Sequence, residues 1–191
     1  MKRRHLLPAL AAAPVAFPRS LAAQEAGNFA ITWRDIYAKH WVDEKEYTLA
    51  VLEAMPPEGF DFKPNPVQRN FGDQLRHLAY ANVVFFNQFK LIPIPSPPLA
   101  ANVKELDEIA NPTDKESVRK FVSASFDYVS SVLARLTAAE LTSTGYTIRG
   151  PHSGTDVLLR AYTHTAHHRG QAIVYLRARD IAPPAWKFEP A

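Results

Sequence analysis

His164-Thr165-Ala166-His167-His168-Arg169-Gly170-Gln171 is the stretch on which the reading of this sequence turns. Residues four apart on a helix lie one turn apart on the same face, so a helix here presents His164 and His168 side by side. The same seam carries Val157, Ala161, Gln171 and Tyr175, which makes it the interior-facing stripe of an amphipathic helix. Bare imidazoles on such a stripe are costly unless something hydrogen-bonds or coordinates them. The pair therefore reads either as two ligands of one metal ion or as two core histidines with hydrogen-bond partners. His167, three residues after His164, could replace His168 geometrically, but it points about 100° away from it, so one of the adjacent two must leave the site.

Working outward, Gly150-Pro151 is a turn, and Ser153 with Asp156 three residues on is an N-cap with an acidic third position. The helix so begun is expected to end near Asp180, before Pro183-Pro184. Upstream, Val118, Phe121, Val122, Phe126, Val129 and Val132 form an apolar stripe for a helix starting after Thr113 and reaching about Leu136. Asn70 and Asp73 cap another helix, which runs through Phe71, Leu75, Leu78, Phe85 and Phe89 and stops before Pro93-Ile94-Pro95-Ser96-Pro97-Pro98. That proline-rich stretch is an extended connection, expected to cross the end of a bundle. Residues 29–55 lack internal Gly or Pro and set Trp33, Ile36, Tyr37, His40, Tyr47 and Val51 at roughly helical intervals, ending at Pro56-Pro57-Glu58-Gly59. Nothing reads as paired strands. Four amphipathic helices with one or two long connections predict an all-α four-helix bundle.

The 191 residues suit one domain, and 47% hydrophobic with 21% charged residues is a soluble globular composition. Cysteine is absent, which removes disulfides, thiolate ligands and cysteine nucleophiles, so any metal falls to His, Asp or Glu. The net charge of +3 is unevenly placed: Lys2, Arg3, Arg4 and Arg19 lie in the first 22 residues with no acid among them. Residues 1–23 have the three parts of a secretory signal: a charged head, an apolar run over residues 6–17, and small residues around Ser20-Leu21-Ala22. The run is too short to span a bilayer and contains Pro8 and Pro14, so cleavage after Ala22 or Ala23 is expected, leaving no membrane anchor. Lys2-Arg3-Arg4-His5-Leu6-Leu7 also resembles a twin-arginine signal. The mature domain, 24–191, is then expected in the periplasm or outside the cell. It would hold 18 bases against 19 acids, which argues against a nucleic-acid partner.

A third ligand must come from another helix, and His77, in Phe71-Gly72-Asp73-Gln74-Leu75-Arg76-His77, sits one position from the apolar stripe of the Asn70-capped helix. A single helical histidine alone is more often structural than ligating; its weight comes from its surroundings. Met55-Pro56-Pro57-Glu58 with Phe60-Asp61-Phe62-Lys63-Pro64 resembles the loop after the first helix of DinB/YfiT-like proteins. The His77 stretch resembles that family's second helix with its first metal ligand. His164 to Gln171, followed by Val174-Tyr175-Leu176-Arg177 and Pro183-Pro184, resembles the fourth helix and its exit. The family label records damage-inducible expression and is not that of the error-prone polymerase sharing the name.

The resemblance implies a bundle of up-up-down-down topology and one divalent ion held by three histidines, matching His77, His164 and His168 and setting His167 aside. Three imidazoles with open positions are the layout of a catalytic site, and zinc, nickel, iron and manganese all accept imidazole. A metalloprotease of the H-E-x-x-H kind is disfavoured because Thr165 stands where that motif needs its glutamate. Known relatives include thiol transferases and thiol-dependent isomerases. Two classes follow: a metal-dependent transferase or hydrolase acting on a small molecule, or a metal-binding or stress-response protein without catalysis. Arg169, Gln171, Asn82 and Tyr175 are candidates to orient a ligand, set against ordinary packing roles. His40 reads as core or surface, His152 as a loop residue, and His5 leaves with the signal. Many bundles of this kind are homodimers, a state no residue here demonstrates.

Overall fold

The structure, a computed structural model, describes residues 21–147 and 150–186; the charged head and apolar run of the signal lie outside them. Five α-helices occur among these residues: α1 (Leu21–Ala54), α2 (Phe71–Asn87), α3 (Lys115–Leu133), α4 (Ala138–Thr142) and α5 (Gly154–Arg177). Among the described residues there is no strand beyond one antiparallel bridge between Tyr146 and His152. No described helix is long and apolar enough to cross a membrane.

The caps fall where short-range chemistry puts them. The Asn70 side chain accepts from the Asp73 amide, Asp114 from those of Glu116 and Ser117, and Ser153 from that of Asp156. Each satisfies amides that the first helical turn leaves without an intrahelical partner. Before α5, Gly150 takes φ +125, a conformation suited to glycine. One boundary and one additional element differ from expectation. The α1 helix begins at Leu21 and runs through Gly27, because the flanking Ala, Gln and Glu residues are good helix formers and one internal glycine costs only about 1 kcal/mol. Helix α4 was not expected; Thr137 and Glu140 build it with a reciprocal capping box.

Contacts fix the direction of each long helix. Along α1 and α3, Arg34 donates to the Leu136 carbonyl, Lys45 pairs with Asp127, and Lys115 pairs with Glu53, so the two are antiparallel. Along α1 and α5, Tyr37 meets Tyr162, and Glu44 meets Arg169, so these are parallel. Helix α2 runs against α5, with Phe71 near Tyr175 at one end and Phe85 near His164 further along. The order is up, down, down, up, in place of the expected up-up-down-down. The reason lies in residues 88–114: they do not merely round the end of the bundle but return the chain along its length, so α3 starts beside the start of α2. There Gly72 packs so closely on Pro112 that an added Cβ would lie 1.8 Å from the Pro112 carbonyl oxygen.

The core runs between α1, α2, α3 and α5, with Trp41, Phe86 and Phe126 clustered on the first three and Trp41 and Phe126 ring centroids 4.6 Å apart. The Trp41 indole N–H donates to the Phe126 carbonyl at 3.3 Å. Burying each such ring contributes about 2 kcal/mol, and together they hold α1 and α3 against α2, while Tyr37 meets Tyr162 to join α1 to α5.

A three-imidazole candidate metal centre

Helices α2 and α5 pack antiparallel, and this brings His77 beside His164 and His168. Ring centroids are 5.2 Å apart for His77 and His164, 4.7 Å for His77 and His168, and 4.4 Å for His164 and His168. One ring nitrogen from each lies within 4.8 Å of the others. Tetrahedral coordination at zinc–imidazole bond lengths would draw such nitrogens to about 3.3 Å of one another, a closure within reach of small side-chain torsions. All three side chains are half-buried, at the border of the buried stripe of α5. That stripe is formed by Val157, Leu158, Ala161, Thr165, Arg169, Ala172 and Tyr175. The two α5 histidines therefore flank the interior seam, and the site opens toward solvent.

The surroundings keep the imidazoles neutral. Burial, followed by the neighbouring imidazoles and Arg69, pushes His164 down to about 4 and His168 down to about 3. Burial and then Arg69 lower His77 as well. Neutral imidazole is the form that ligates metal. The His77 ring stacks on Tyr80 at 6.3 Å, and Phe85 meets His164 edge-on at 5.8 Å. Nδ1 of His168 lies 2.8 Å from the Gln74 side-chain oxygen, whereas Nδ1 of His164 is buried with no hydrogen-bond partner. An orphaned imidazole nitrogen inside a cluster of three neutral histidines suits the donor set of a divalent cation.

The other histidines lie elsewhere. His167 is exposed, and its Nε2 meets the Gln171 side-chain nitrogen at 2.8 Å. His152 contacts Asp156 through Nδ1 at 2.7 Å. His40 lines a cavity of about 450 Å³ on the α1 side of α5, together with Glu44, Tyr47, Tyr162 and Trp186. His5 lies outside the described residues.

The four candidate orienting residues are all engaged in packing or hydrogen bonds. Arg169 turns away from the triad to form a buried two-point ion pair with Glu44, with its guanidinium 4.9 Å from the Tyr47 ring centroid. Gln171 serves His167. Asn82 accepts from the Thr165 hydroxyl at 2.9 Å, so Thr165 ties α5 to α2 inside the core. Tyr175 receives the Gln74 amide and donates to the Arg69 carbonyl. Sequence reasoning missed Gln74, Arg69 and Glu44. An acid on the apolar stripe of α1, between Trp41 and Thr48, was the available signal for the last.

A search of curated proteins finds no match. A crystal structure described as that of a DinB-like protein from Bacillus cereus ATCC 10987 superimposes with a TM-score of 0.57 at 22% identity. The match covers 78% of this chain and 94% of that one, a likeness of fold. The sequence profile of the DinB superfamily matches residues 40–172, well over half of the chain and inclusive of all three imidazoles. On that match, together with the bundle it describes, the chain belongs to the DinB superfamily.

Proposed function

We propose that this protein holds one divalent metal ion with His77, His164 and His168 and acts, outside the cytoplasm, as a metal-dependent transferase or hydrolase on a small molecule. The carrying observation is the convergence of three neutral, half-buried imidazoles from two helices, one with a buried nitrogen that nothing else satisfies. A resident ion with open positions would supply Lewis acidity to a bound molecule. The chain's own part is to hold the ligands and limit access: Tyr80 and Phe85 wall the rings, and Arg69 adds positive charge beside them. Asp73, one turn before His77, is committed to Arg69 and Arg76, so it is not free to act as a base. A metal-binding role without catalysis is the second reading. It is favoured by the position of the 450 Å³ cavity, which lies across α5 from the imidazoles. The export reading rests on residues 1–23 of the sequence.

Elemental analysis and intact mass of protein purified from its native compartment test these readings together. Stoichiometric metal is expected in wild type and in His167→Ala, and its loss in His168→Ala. The mature mass should correspond to cleavage after Ala22 or Ala23. Equal retention of metal in both variants refutes the ligand set, and an intact Met1 in the cytosol refutes export. Turnover that requires the metal separates the enzyme from the binder.

A further inference from the structure

The hydrogen bonds behind His168 form a chain whose proton positions are determined from its far end. The Tyr175 hydroxyl lies 2.6 Å from the Arg69 backbone carbonyl, an acceptor only, so the tyrosine proton points there. Toward Gln74 the same oxygen offers only lone pairs, and the Gln74 side-chain nitrogen donates to it at 3.3 Å. A flipped Gln74 would set two acceptors against each other at that contact. The Gln74 oxygen is thereby directed to His168 Nδ1 at 2.8 Å, and it too can only accept. Gln74 and Tyr175 are both buried, so water does not compete freely for these positions.

We infer that Gln74 is a positioning residue that, anchored through Tyr175 on the Arg69 carbonyl, holds neutral His168 as its Nδ1–H tautomer and leaves Nε2 as the nitrogen free to bind a cation. The claim about the tautomer stands on the hydrogen-bond chain alone; its use in metal binding rests on the proposed function. Neutral histidine in water prefers the proton on Nε2, the opposite arrangement, so the fold imposes a choice that the side chain would not make unaided. The ring plane is fixed by the same contact. Both effects prepare one ligand before any ion arrives, and partners of this kind typically carry about 10- to 100-fold in metal affinity. His164, by contrast, has no such partner on Nδ1.

The test is ring ¹⁵N NMR of the full chain, stripped with chelator at pH 8, where the imidazoles are neutral. Zinc titration of the same samples follows. Wild type is expected to show His168 protonated on Nδ1. Gln74→Leu should move His168 toward the Nε2–H form and weaken zinc binding about 10- to 100-fold. Gln74→Glu, which still accepts from Nδ1–H, should restore the tautomer. Tyr175→Phe never touches His168, yet by freeing the Gln74 amide to flip it should give a mixture of the two forms. Gln74→Glu and Tyr175→Phe keep the test open should Gln74→Leu not fold. The inference is overturned if wild-type His168 carries its proton on Nε2, or if its tautomer ignores all three substitutions. A wild-type Nδ1–H signal with no zinc binding supports the hydrogen-bond chain and sinks the metal reading instead.

Discussion

Replacing Glu44 with alanine strands a guanidinium in the interior of this bundle, and the cost can be worked from the structure. The side chains of Glu44 and Arg169 are 6% and 7% exposed, joined by two contacts, and Tyr162 adds a hydrogen bond to the carboxylate at 3.3 Å. Removing one partner of a buried pair typically costs about 3–5 kcal/mol, because the remaining charge loses its counter-ion without regaining water. Here the Tyr47 ring still faces the guanidinium, and a desolvated cation–π contact retains up to about 2 kcal/mol. A loss of about 3 kcal/mol is therefore expected. With a urea m-value of about 2 kcal/mol per molar, the unfolding midpoint should fall by about 1.5 M at an unchanged slope. The paired replacement Glu44→Leu with Arg169→Met should return to within about 1 kcal/mol of wild type, since both charges leave together. Because Arg169 faces α1 while the imidazoles face α2, folded Glu44→Ala should bind zinc as wild type does. A single-variant loss below about 1 kcal/mol, or a double variant no better than the single, would show that the pair is solvated and the reasoning misplaced.

Two further outcomes follow from other contacts. Gly72→Ala sets a methyl group 1.8 Å from the Pro112 carbonyl oxygen and 3.0 Å from the Phe60 ring, so the start of α2 must separate from the chain entering α3. A loss of about 2–3 kcal/mol is expected by thermal or urea unfolding, and a change under about 0.5 kcal/mol would contradict the packing. Metal-free protein should lose stability on acidification. All three imidazoles sit below the ordinary histidine value when folded, at about 4 for His164 and about 3 for His168, so between pH 6.5 and those values the unfolded chain binds the extra protons. Their contribution is complete above pH 6.5 and declines toward pH 3–4. The slope is at most about 1.4 kcal/mol per pH unit for each ring and is reduced by their partial exposure. Urea titrations in chelator should show a shallower decline for His168→Asn, and parallel curves would refute the shift.

What could be read from the residues was what short-range chemistry decides. Asn70 and Ser153 cap their helices with side-chain bonds to amides three residues on, and the four-residue spacing of His164 and His168 becomes adjacency on any helix. His77 joins them only through the packing of α2 on α5; it was legible as family likeness and not from spacing. The pairings of Glu44 and Gln74 leave no local signature because the partners lie 125 and 94 positions away, beyond any local pattern. The directions of the helices are hidden from sequence for a related reason: the prolines of residues 88–114 mark an extended path without saying whether it rounds the bundle or follows its length. Thr137 and Glu140 had the spacing of a capping box, yet the helix they start is five residues long and leaves no periodic stripe.

The return path of residues 88–114 has a consequence for the order of events during synthesis. By placing α3 alongside α2, it lets the first three long helices meet while the last is still being made, but only His77 of the triad exists at that stage. The Gln74–His168 contact spans 94 positions, and loop closure over that distance is slow and entropically opposed until the core is in place. A chain interrupted anywhere before α5 therefore carries one imidazole of the three, that of His77. The full set of three imidazoles is present only in a polypeptide whose final helix has docked.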